Sequence, residues 1–337
     1  MGTILQIGRL LLYLQKSIET NTTIHMKKIL FAIATLLLLA NCSGGQEGNE
    51  TDAESKDSVK CVLDTAVPAV TQEDTLPADY SVKPVSDSVQ TLVQADEAES
   101  DLGAEKQSFT VEGVTFTMIR VEPGTFMMGC APNQEEDAWD EEKPRHQVTL
   151  TQPYYIGETQ VTQALWEAVM GNNPSYFTGD LQRPVERVSW NDCQEFIEKL
   201  NELTGKQFTL PTEAQWEYAA RGGNRSKGFK YAGSDDLDEV AWWNGNSNEE
   251  THPVKTKAPN ELGIYDMSGN VWEWCQDCYD SYPQSSVTDP LCASGSYRVF
   301  RGGSWCFNAQ YCRSSHRNYY FPDRYGCNGG FRLAFVP

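Results

Sequence analysis

The chain has 337 residues, enough for one large domain or for two ordinary ones. Its 47 acidic residues outnumber the 27 Lys and Arg residues, which gives a formal net charge of -20 at pH 7. This charge argues against nucleic acid or an anionic membrane surface as the main partner, and it leaves carboxylates available for a cation such as calcium.

A basic start followed by a short apolar run lies near residue 26. Residues 26–41 read MKKILFAIATLLLLAN, which is too short to span a bilayer comfortably and is typical of a secretory signal. The run ends at Cys42 in a Leu-Ala-Asn-Cys tetrapeptide that resembles a bacterial lipoprotein processing site. We therefore expect a signal peptide over residues 26–42, a lipid on Cys42, and a lipid-anchored place in the bacterial cell envelope, surface-exposed or periplasmic. On this interpretation residues 1–25 are an upstream misreading, whereas the alternative is an ordinary cleaved signal in which Cys42 is incidental.

The next stretch, residues 43–106, is rich in Glu, Asp, Ser, Gln, Thr and Ala and has no lasting apolar period. Such a segment cannot bury enough surface to offset its chain entropy, so we predict a disordered acidic linker. The folded domain is predicted over residues 107–337. The ten cysteines of an exported chain indicate that some of them form disulfides, but the pairing cannot be read from the sequence.

The first elements of the folded domain are predicted to be strands and a helix. Residues 109–129 alternate apolar and polar side chains around Gly113 and a Pro123-Gly124 turn, which indicates hairpins. A helix follows in TQALWEAVMG, because Thr162 can cap its start and Gly171 stands where a left-handed residue ends a helix.

Two more helices are indicated by capping boxes. Ser189 and Asp192 form an S-x-x-D pattern that opens a helix ending at Gly205, and a T-x-x-Q pattern opens another at Thr212. The apolar stripe of the first of these helices consists of Cys193, Phe196, Ile197, Leu200 and Leu203. The remaining chain is rich in Gly, Asn, Trp, Tyr and Ser, and it predicts a loop-dominated half with short strands near residues 299–301 and 331–335.

Several stretches, in order, resemble the formylglycine-generating (sulfatase-modifying factor) family. They are PGTFMMG at 123–129, ETQVTQALWEAVM at 158–170, RPVERVSWNDC at 183–193, LPTEAQWEYAARGG at 210–223, NELGIYDMSGNVWEW at 260–274, RVFRGGSW at 298–305 and GFRLAF at 330–335. The resemblance implies an α+β, C-type-lectin-like fold with little regular secondary structure.

A calcium site follows from the stretch DMSGNVWEW. Asp266 and Glu273 are hard oxygen donors around a tight Gly-Asn turn that exposes backbone carbonyls, which is the chemistry that calcium prefers. The resemblance implies that structural calcium is bound by these two side chains and by the carbonyls of Gly269 and Val271. The alternative is that the two carboxylates merely cap a turn.

Catalytic members of this family oxidise a substrate cysteine to formylglycine with copper(I) held by two thiolates, and soft thiolates suit that ion. The resemblance places the second thiolate on Cys312. The first falls on Phe307, so that Cys306 stands one residue early. Because one residue in an extended segment turns a side chain to the opposite face, Cys306 need not reach the same metal. The alternative for Cys312 is a structural thiol or half of a disulfide.

Other catalytic arrangements have less support. The C-x-x-C of Cys275 and Cys278 stands alone, without a second pair at zinc-finger spacing, and a role in disulfides is favoured. The four histidines are scattered and show no H-x-x-x-H pattern, which argues against the iron-dependent branch of the superfamily.

Residues 306–328 have the composition of an adaptable binding surface. Aromatic residues alternate with Asn, Ser, Arg, Gly, His and Cys, and aliphatic residues other than one alanine are absent. Tyrosine supplies a large contact area with few rotatable bonds, and small polar residues supply adaptable hydrogen bonds. The candidate ligand-binding residues are Cys306, Phe307, Asn308, Tyr311, His316, Asn318, Tyr319, Tyr320, Phe321, Arg324, Tyr325 and Asn328.

The same residue types can all be written with codons ending in cytosine, as expected after substitution of adenines in asparagine codons. This segment near the C-terminus thus resembles the variable region of proteins made by diversity-generating retroelements, many of which are lipoproteins of this fold. The leading hypothesis is a non-catalytic module whose partner is a protein or another surface ligand, with the membrane contacted only through the lipid and no nucleic acid bound. A formylglycine-generating oxidase acting through Cys312 and Cys306 is the alternative, and an inert or protein-interaction lipoprotein is a third.

Overall fold

The computed structural model describes residues 105–132, 134 and 138–337. The predicted signal peptide of residues 26–42, its lipidated Cys42 and the preceding residues 1–25 lie outside the described residues. So does the predicted linker of residues 43–106 apart from its last two residues, and Lys106 already begins a strand. Within the described part of the chain, no helix is both long and apolar enough to cross a membrane.

The two ends of the described domain meet in one antiparallel sheet. Across this sheet the order of strands is β1 (Lys106–Val111), β2 (Val114–Val121), β5 (Tyr154–Gly157) and β11 (Ala334–Phe335). β1 and β2 form the predicted hairpin, and its turn uses positive φ angles of 47° at Glu112 and 79° at Gly113.

The second predicted hairpin, at Pro123-Gly124, is wrong. The strand that follows, β3 (Gly124–Met128), pairs with β4 (His146–Leu150) in a different sheet, and β4 also pairs with β7 (Val287–Thr288). The turn therefore carries the chain from one sheet to the next. Gly124 is required at this crossing because the hydroxyl of Tyr218 lies where a Cβ would stand.

The third sheet carries the C-terminal segment. Its order is β10 (Gly329–Phe331), β6 (Trp272–Cys278), β8 (Arg298–Arg301) and β9 (Arg317–Tyr320). β10 runs parallel to β6, and the other pairs are antiparallel. β9 is an edge strand, so one side of its backbone has no neighbouring strand in this sheet. The strands predicted near residues 299–301 and 331–335 are confirmed.

Three of the four α-helices in the described residues have the predicted caps. The helices are α1 (Gln163–Met170), α2 (Trp190–Thr204), α3 (Glu213–Ala220) and the short α4 (Leu237–Val240), which was not predicted. The side chains of Thr162, Ser189 and Thr212 accept hydrogen bonds from the first turns, and Gly171 and Gly205 end α1 and α2 in the left-handed conformation. The predicted stripe of α2 is buried except for Leu203, which is exposed because it lies in the last turn of the helix.

Among the described residues, two large hydrophobic clusters and a smaller third one, which includes Cys312, form the core. In one of the two large clusters Phe196 of α2 packs with Trp272 and Trp274 of β6 and with Phe331 of β10. In the other, Trp216 of α3 packs with residues of β4 and β5. Since helices and short strands share these clusters, the predicted α+β class is confirmed, and the chain beyond α3 is dominated by loops.

Candidate ligand-binding surface

Residues 306–328, which we call the C-terminal segment, connect β8 to β10 through the edge strand β9. The segment begins with a 3-10 turn at Ala309–Cys312 and turns back after β9. Its residues fall into three parts by burial. Residues 312–317 are all buried, whereas residues 306–311 and 318–328 are half-buried or exposed throughout.

Two buried arginines hold the middle of the C-terminal segment. Nη1 of Arg313 donates to Glu142 over 2.7 Å, and Nε of Arg317 donates to Glu213 over 2.8 Å. Burial alone would raise the pKa of the Glu142 carboxyl, but the nearby ring of His316 and the hydrogen bonds and charge of Arg313 outweigh it and hold that pKa well below its usual range. Glu142 is therefore ionised at neutral pH, and its ion pair fixes the backbone of the segment from the inside.

The placement of His316 corrects one of the predicted ligand contacts. Its side chain is only 3% exposed and lies among the rings of Trp139, Trp272 and Tyr311, at centroid distances of 5.5, 5.7 and 5.0 Å. Burial lowers the pKa of His316 against the opposing effect of Glu142. A ligand on the surface cannot reach this ring, because the ring belongs to the buried stretch that the arginines hold.

Four aromatic rings form a continuous surface feature, which we call the aromatic ridge. Its members are Tyr279, Tyr297, Tyr319 and Phe321. Tyr319 lies 4.2 Å from Tyr279 and 5.0 Å from Tyr297, and Phe321 lies 4.5 Å from Tyr297, all between ring centroids. Tyr319 and Phe321 are 40% and 45% exposed, a large apolar area for side chains of this size.

The alternation of side chains along β9 explains which of its residues take part in the aromatic ridge. Successive side chains of a strand point to opposite faces, so Arg317 and Tyr319 share one face. The guanidinium of Arg317 lies 4.5 Å from the ring of Tyr279, which thus contacts buried Arg317 and exposed Tyr319 together. Asn318 and Tyr320 occupy the other face and are half-buried, so they offer less surface to a ligand.

A second exposed patch lies at the start of the C-terminal segment. The ring of Tyr311 lies 5.0 Å from that of Phe307 and 5.4 Å from the exposed indole of Trp139. Asn308 is also exposed, and its side-chain oxygen lies 3.4 Å from the amide of Asn244. Aromatic rings beside an amide supply both apolar contact and hydrogen bonding.

The third exposed part follows β9. Tyr325 is exposed, and the guanidinium of Arg187 lies 5.9 Å from its ring centroid. The backbone here is tied to the start of α2, because the amide of Asn191 donates to the carbonyl of Pro322 over 3.1 Å. Arg324 and Asn328 are half-buried.

Some contributors to this surface were not predicted from the sequence. Trp139, Tyr279 and Tyr297 lie outside residues 306–328, and their neighbours in the chain give no signal that they meet the segment. Strand pairing brings Tyr279 and Tyr297 together, since the amide of Tyr279 donates to the carbonyl of Tyr297 over 2.9 Å, whereas Trp139 precedes a 3-10 turn.

The predicted copper ligands lie near each other but face different partners. Cys312 is fully buried with its sulfur 4.0 Å from the carbonyl of Asn308, whereas the sulfur of Cys306 lies 3.5 Å from the hydroxyl of Ser304. Burial raises the pKa of Cys312 to about 12 and also raises that of Cys306, and Cys306 contributes to the shift of Cys312. A copper(I) site needs two thiolates, whereas burial favours the protonated thiol at both of these positions.

Among the other described cysteines, Cys327 is disulfide-bonded, whereas the C-x-x-C pair is not. Cys275 and Cys278 are buried free thiols, so the predicted disulfide role of the C-x-x-C is not formed here. Cys193 is the buried core thiol that the apolar stripe of α2 predicts.

The oxygen atoms predicted to bind calcium converge on one point, and the side chain of Gln160 lies there. Carbonyl oxygens of Asp266, Gly269 and Val271 and a carboxylate oxygen of Glu273 all lie within 3.3 Å of Nε2 of Gln160. The sequence thus located the oxygen cradle, whereas it gave no signal that Gln160 occupies the centre.

The chain is similar to several known proteins. The family model for the sulfatase-modifying factor enzyme 1-like domain matches residues 105–336. The chaperone protein LppX of Paenibacillus barcinonensis is 35% identical over 232 residues, covering 54% of this chain and 78% of that protein. The formylglycine-generating enzyme of Streptomyces coelicolor is 33% identical over 286 residues, covering 64% of this chain and 88% of that protein. Among solved structures, Treponema denticola variable protein 1 is 35% identical with a TM-score of 0.63, covering 69% of this chain and 99% of that one.

Proposed function

The chain belongs to the sulfatase-modifying factor enzyme 1-like family. We propose that this member is a non-catalytic module that binds a protein ligand with its C-terminal segment. The export signal and the lipid on Cys42 would hold it in the bacterial cell envelope, and residues 43–106 would extend it from the membrane. The ligand would contact the aromatic ridge, the patch around Tyr311 and the loop that carries Tyr325.

The observation that carries this proposal is the division of the C-terminal segment into a buried middle and two exposed parts. The backbone is fixed by Arg313 and Arg317, whose ion pairs with Glu142 and Glu213 involve none of the exposed side chains. Exposed side chains such as Tyr319 and Tyr325 can therefore change without loss of the fold. Rigid support beneath large aromatic contacts reduces the ordering cost of binding.

The similarity to a protein named variable protein 1 supports the same proposal. On the diversity hypothesis, substitutions in the exposed parts would create new specificities, while the buried stretch of residues 312–317 would stay constant. The edge position of β9 also places the ridge where no further strand of its sheet covers it.

A second candidate function is formylglycine generation, which the proximity of Cys306 and Cys312 and the similarity to the Streptomyces coelicolor enzyme favour. In that reaction dioxygen would oxidise the substrate cysteine to the aldehyde, its sulfur would leave as hydrogen sulfide, and water would form. An external thiol reductant would supply the two further electrons, and Cys306 and Cys312 would hold the copper(I) ion. Against it stand the burial of Cys312 and the raised pKa of both thiols.

An aldehyde assay separates the two functions. The full chain would be incubated with a sulfatase-type cysteine peptide, copper(I) and oxygen, and the peptide would then be probed for aldehyde. We expect no aldehyde above the level of the Cys312→Ser variant. A strong signal from the unaltered chain that disappears in Cys312→Ser would contradict the non-catalytic proposal.

A further inference from the structure

A buried side-chain amide stands at the centre of the predicted calcium cradle. Gln160 lies between β5 and α1 and is 1% exposed. Its Nε2 lies 3.1, 3.3 and 2.9 Å from the carbonyl oxygens of Asp266, Gly269 and Val271, and 3.0 Å from Oε1 of Glu273. Four oxygen atoms around one point favour a positively charged group or ion at that point.

We infer that the amide of Gln160 fills this cradle in place of a metal ion, so that the fold does not depend on calcium. The Nε2 group carries two hydrogens with partial positive charge, so two of these oxygens can accept a direct hydrogen bond while the others lie beside the same positive group. The four distances of 2.9–3.3 Å are longer than the Ca–O distance of about 2.3–2.6 Å. An ion at this point would need the nitrogen of Gln160 to leave.

The charge of Glu273 is already neutralised by protein groups. Nε and Nη2 of the fully buried Arg332 donate to its two oxygens over 2.5 and 2.6 Å, and the indole of Trp216 donates over 2.6 Å. A divalent ion would be placed beside this buried guanidinium, and the repulsion between two buried positive charges is strong. Glu273, one of the two carboxylates that the resemblance assigned to calcium, is therefore already paired with protein donors.

The side chain of Asp266 is only partly engaged by protein donors, because its Oδ1 is buried without a hydrogen-bond partner among the described residues. Its φ angle of 56° presents the carbonyl oxygen to Gln160, while its Oδ2 accepts from the backbone amide of Lys255 over 2.9 Å. Within the described residues, no group of three or more His, Cys, Asp or Glu side chains is arranged to hold a metal ion. One carboxylate, already paired with an arginine, is a weak basis for calcium, which prefers several.

Two buried oxygens define the competing state. Oε1 of Gln160 and Oδ1 of Asp266 are buried and have no hydrogen-bond partner among the described residues. An amide rotated by half a turn would direct Oε1 of Gln160 into the cradle and would then require an ion to hold five oxygens together. The two states differ in whether the purified protein contains calcium.

The test measures the metal content of the full chain and compares its melting temperature in a chelator with that in added calcium. We expect far less than one calcium ion per chain and a Tm that differs between the two conditions by less than about 2 °C, which is small against the shift that loss of a structural ion would cause. About one calcium ion per chain, together with a Tm that falls in the chelator, would overturn the inference.

The variant Gln160→Glu tests whether the cradle has the shape of a cation site. A carboxylate in place of the amide removes both donors and adds a charge, so we expect a lower Tm in the chelator that calcium restores. Gln163→Glu is the matched control, because Gln163 is also buried and donates to the carbonyls of Phe177 and Pro184. Its Tm should fall and should not recover with calcium. If calcium rescues Gln160→Glu no better than Gln163→Glu, the cradle is not a cation-shaped site, and the claim that the amide of Gln160 stands in for a metal ion is contradicted.

Discussion

The ring of Tyr319 packs on the ring of Tyr279 at a centroid distance of 4.2 Å, and Tyr279 in turn lies 4.5 Å from the buried guanidinium of Arg317. The exposed ring of Tyr319 therefore contacts, through Tyr279, the ion-paired Arg317 that fixes the C-terminal segment. This arrangement separates the groups that support the surface from the groups that a ligand would contact. The following expectations depend on that separation.

Removal of a supporting arginine should destabilise the fold strongly. Arg313→Ala leaves the buried carboxylate of Glu142 without its ion pair, which typically costs about 3–5 kcal/mol. Tyr325→Ser removes an exposed ring and should change the free energy of unfolding by only about 0.5 kcal/mol. Urea unfolding measures the free energy of unfolding of both variants. Equal losses of this free energy would show that the supporting and exposed groups are not separate.

The carboxyl of Glu186 should make stability fall as the pH rises. Burial raises the pKa of Glu186 from 4.5 to about 7, although backbone amides of Phe177 and Tyr176 and the charges of Arg187 and Arg183 oppose the shift. The unfolded chain loses this proton at lower pH than the folded protein does. The stabilising effect of the protonated group is therefore complete below about pH 4.5 and is lost as the pH approaches 7.

The variant Glu186→Gln isolates this effect. It keeps an oxygen that can accept from the amide of Phe177, which donates to Glu186 over 2.8 Å. We expect it to unfold at higher denaturant concentration than the unaltered protein at pH 8, with a gain of up to about 3 kcal/mol, and to lose that advantage near pH 4.5. An advantage that does not change with pH would mean that Glu186 is already ionised in the folded protein.

The thiols of Cys306 and Cys312 should differ in reactivity. Cys312 is fully buried with a pKa raised to about 12, whereas Cys306 is half-buried. Since the thiolate is the reactive form, we expect a thiol reagent to modify Cys306 first and to reach Cys312 only upon unfolding. Mass spectrometry after timed alkylation locates the modified residue. Rapid modification of Cys312 in the native protein would instead support an accessible catalytic thiol.

The sequence predicted the features that depend on local chemistry. The caps at Thr162, Ser189 and Thr212 were predicted because a cap needs only a side chain and the next backbone amides. The family resemblance located the oxygen cradle because its ligands lie within one short stretch of chain. By contrast, Gln160 reaches the cradle from a distant part of the chain, and no local pattern indicates that contact.

The burial of residues 312–317 was missed for a related reason. Arg, Ser and His are usually surface residues, and their composition alone favours exposure. They are buried here because Glu142 and Glu213 supply partners from elsewhere in the fold. In the same way, Tyr279 and Tyr297 join the ridge through strand pairing that composition cannot show. The sequence therefore predicted the binding segment as a whole and could not predict which of its side chains reach the surface.

The most direct test of the central claim is deep sequencing of this gene and its flanks across a population of the host. We expect substitutions to concentrate in the codons of exposed or half-buried residues, such as Asn308, Tyr319, Phe321 and Tyr325, at adenine positions of a nearby template repeat. The codons of Arg313 and Arg317 should stay constant, although they lie within the same segment. If the exposed codons are as constant as those of the helices, or if the buried codons vary equally, the segment is not a diversified binding surface and the account is contradicted.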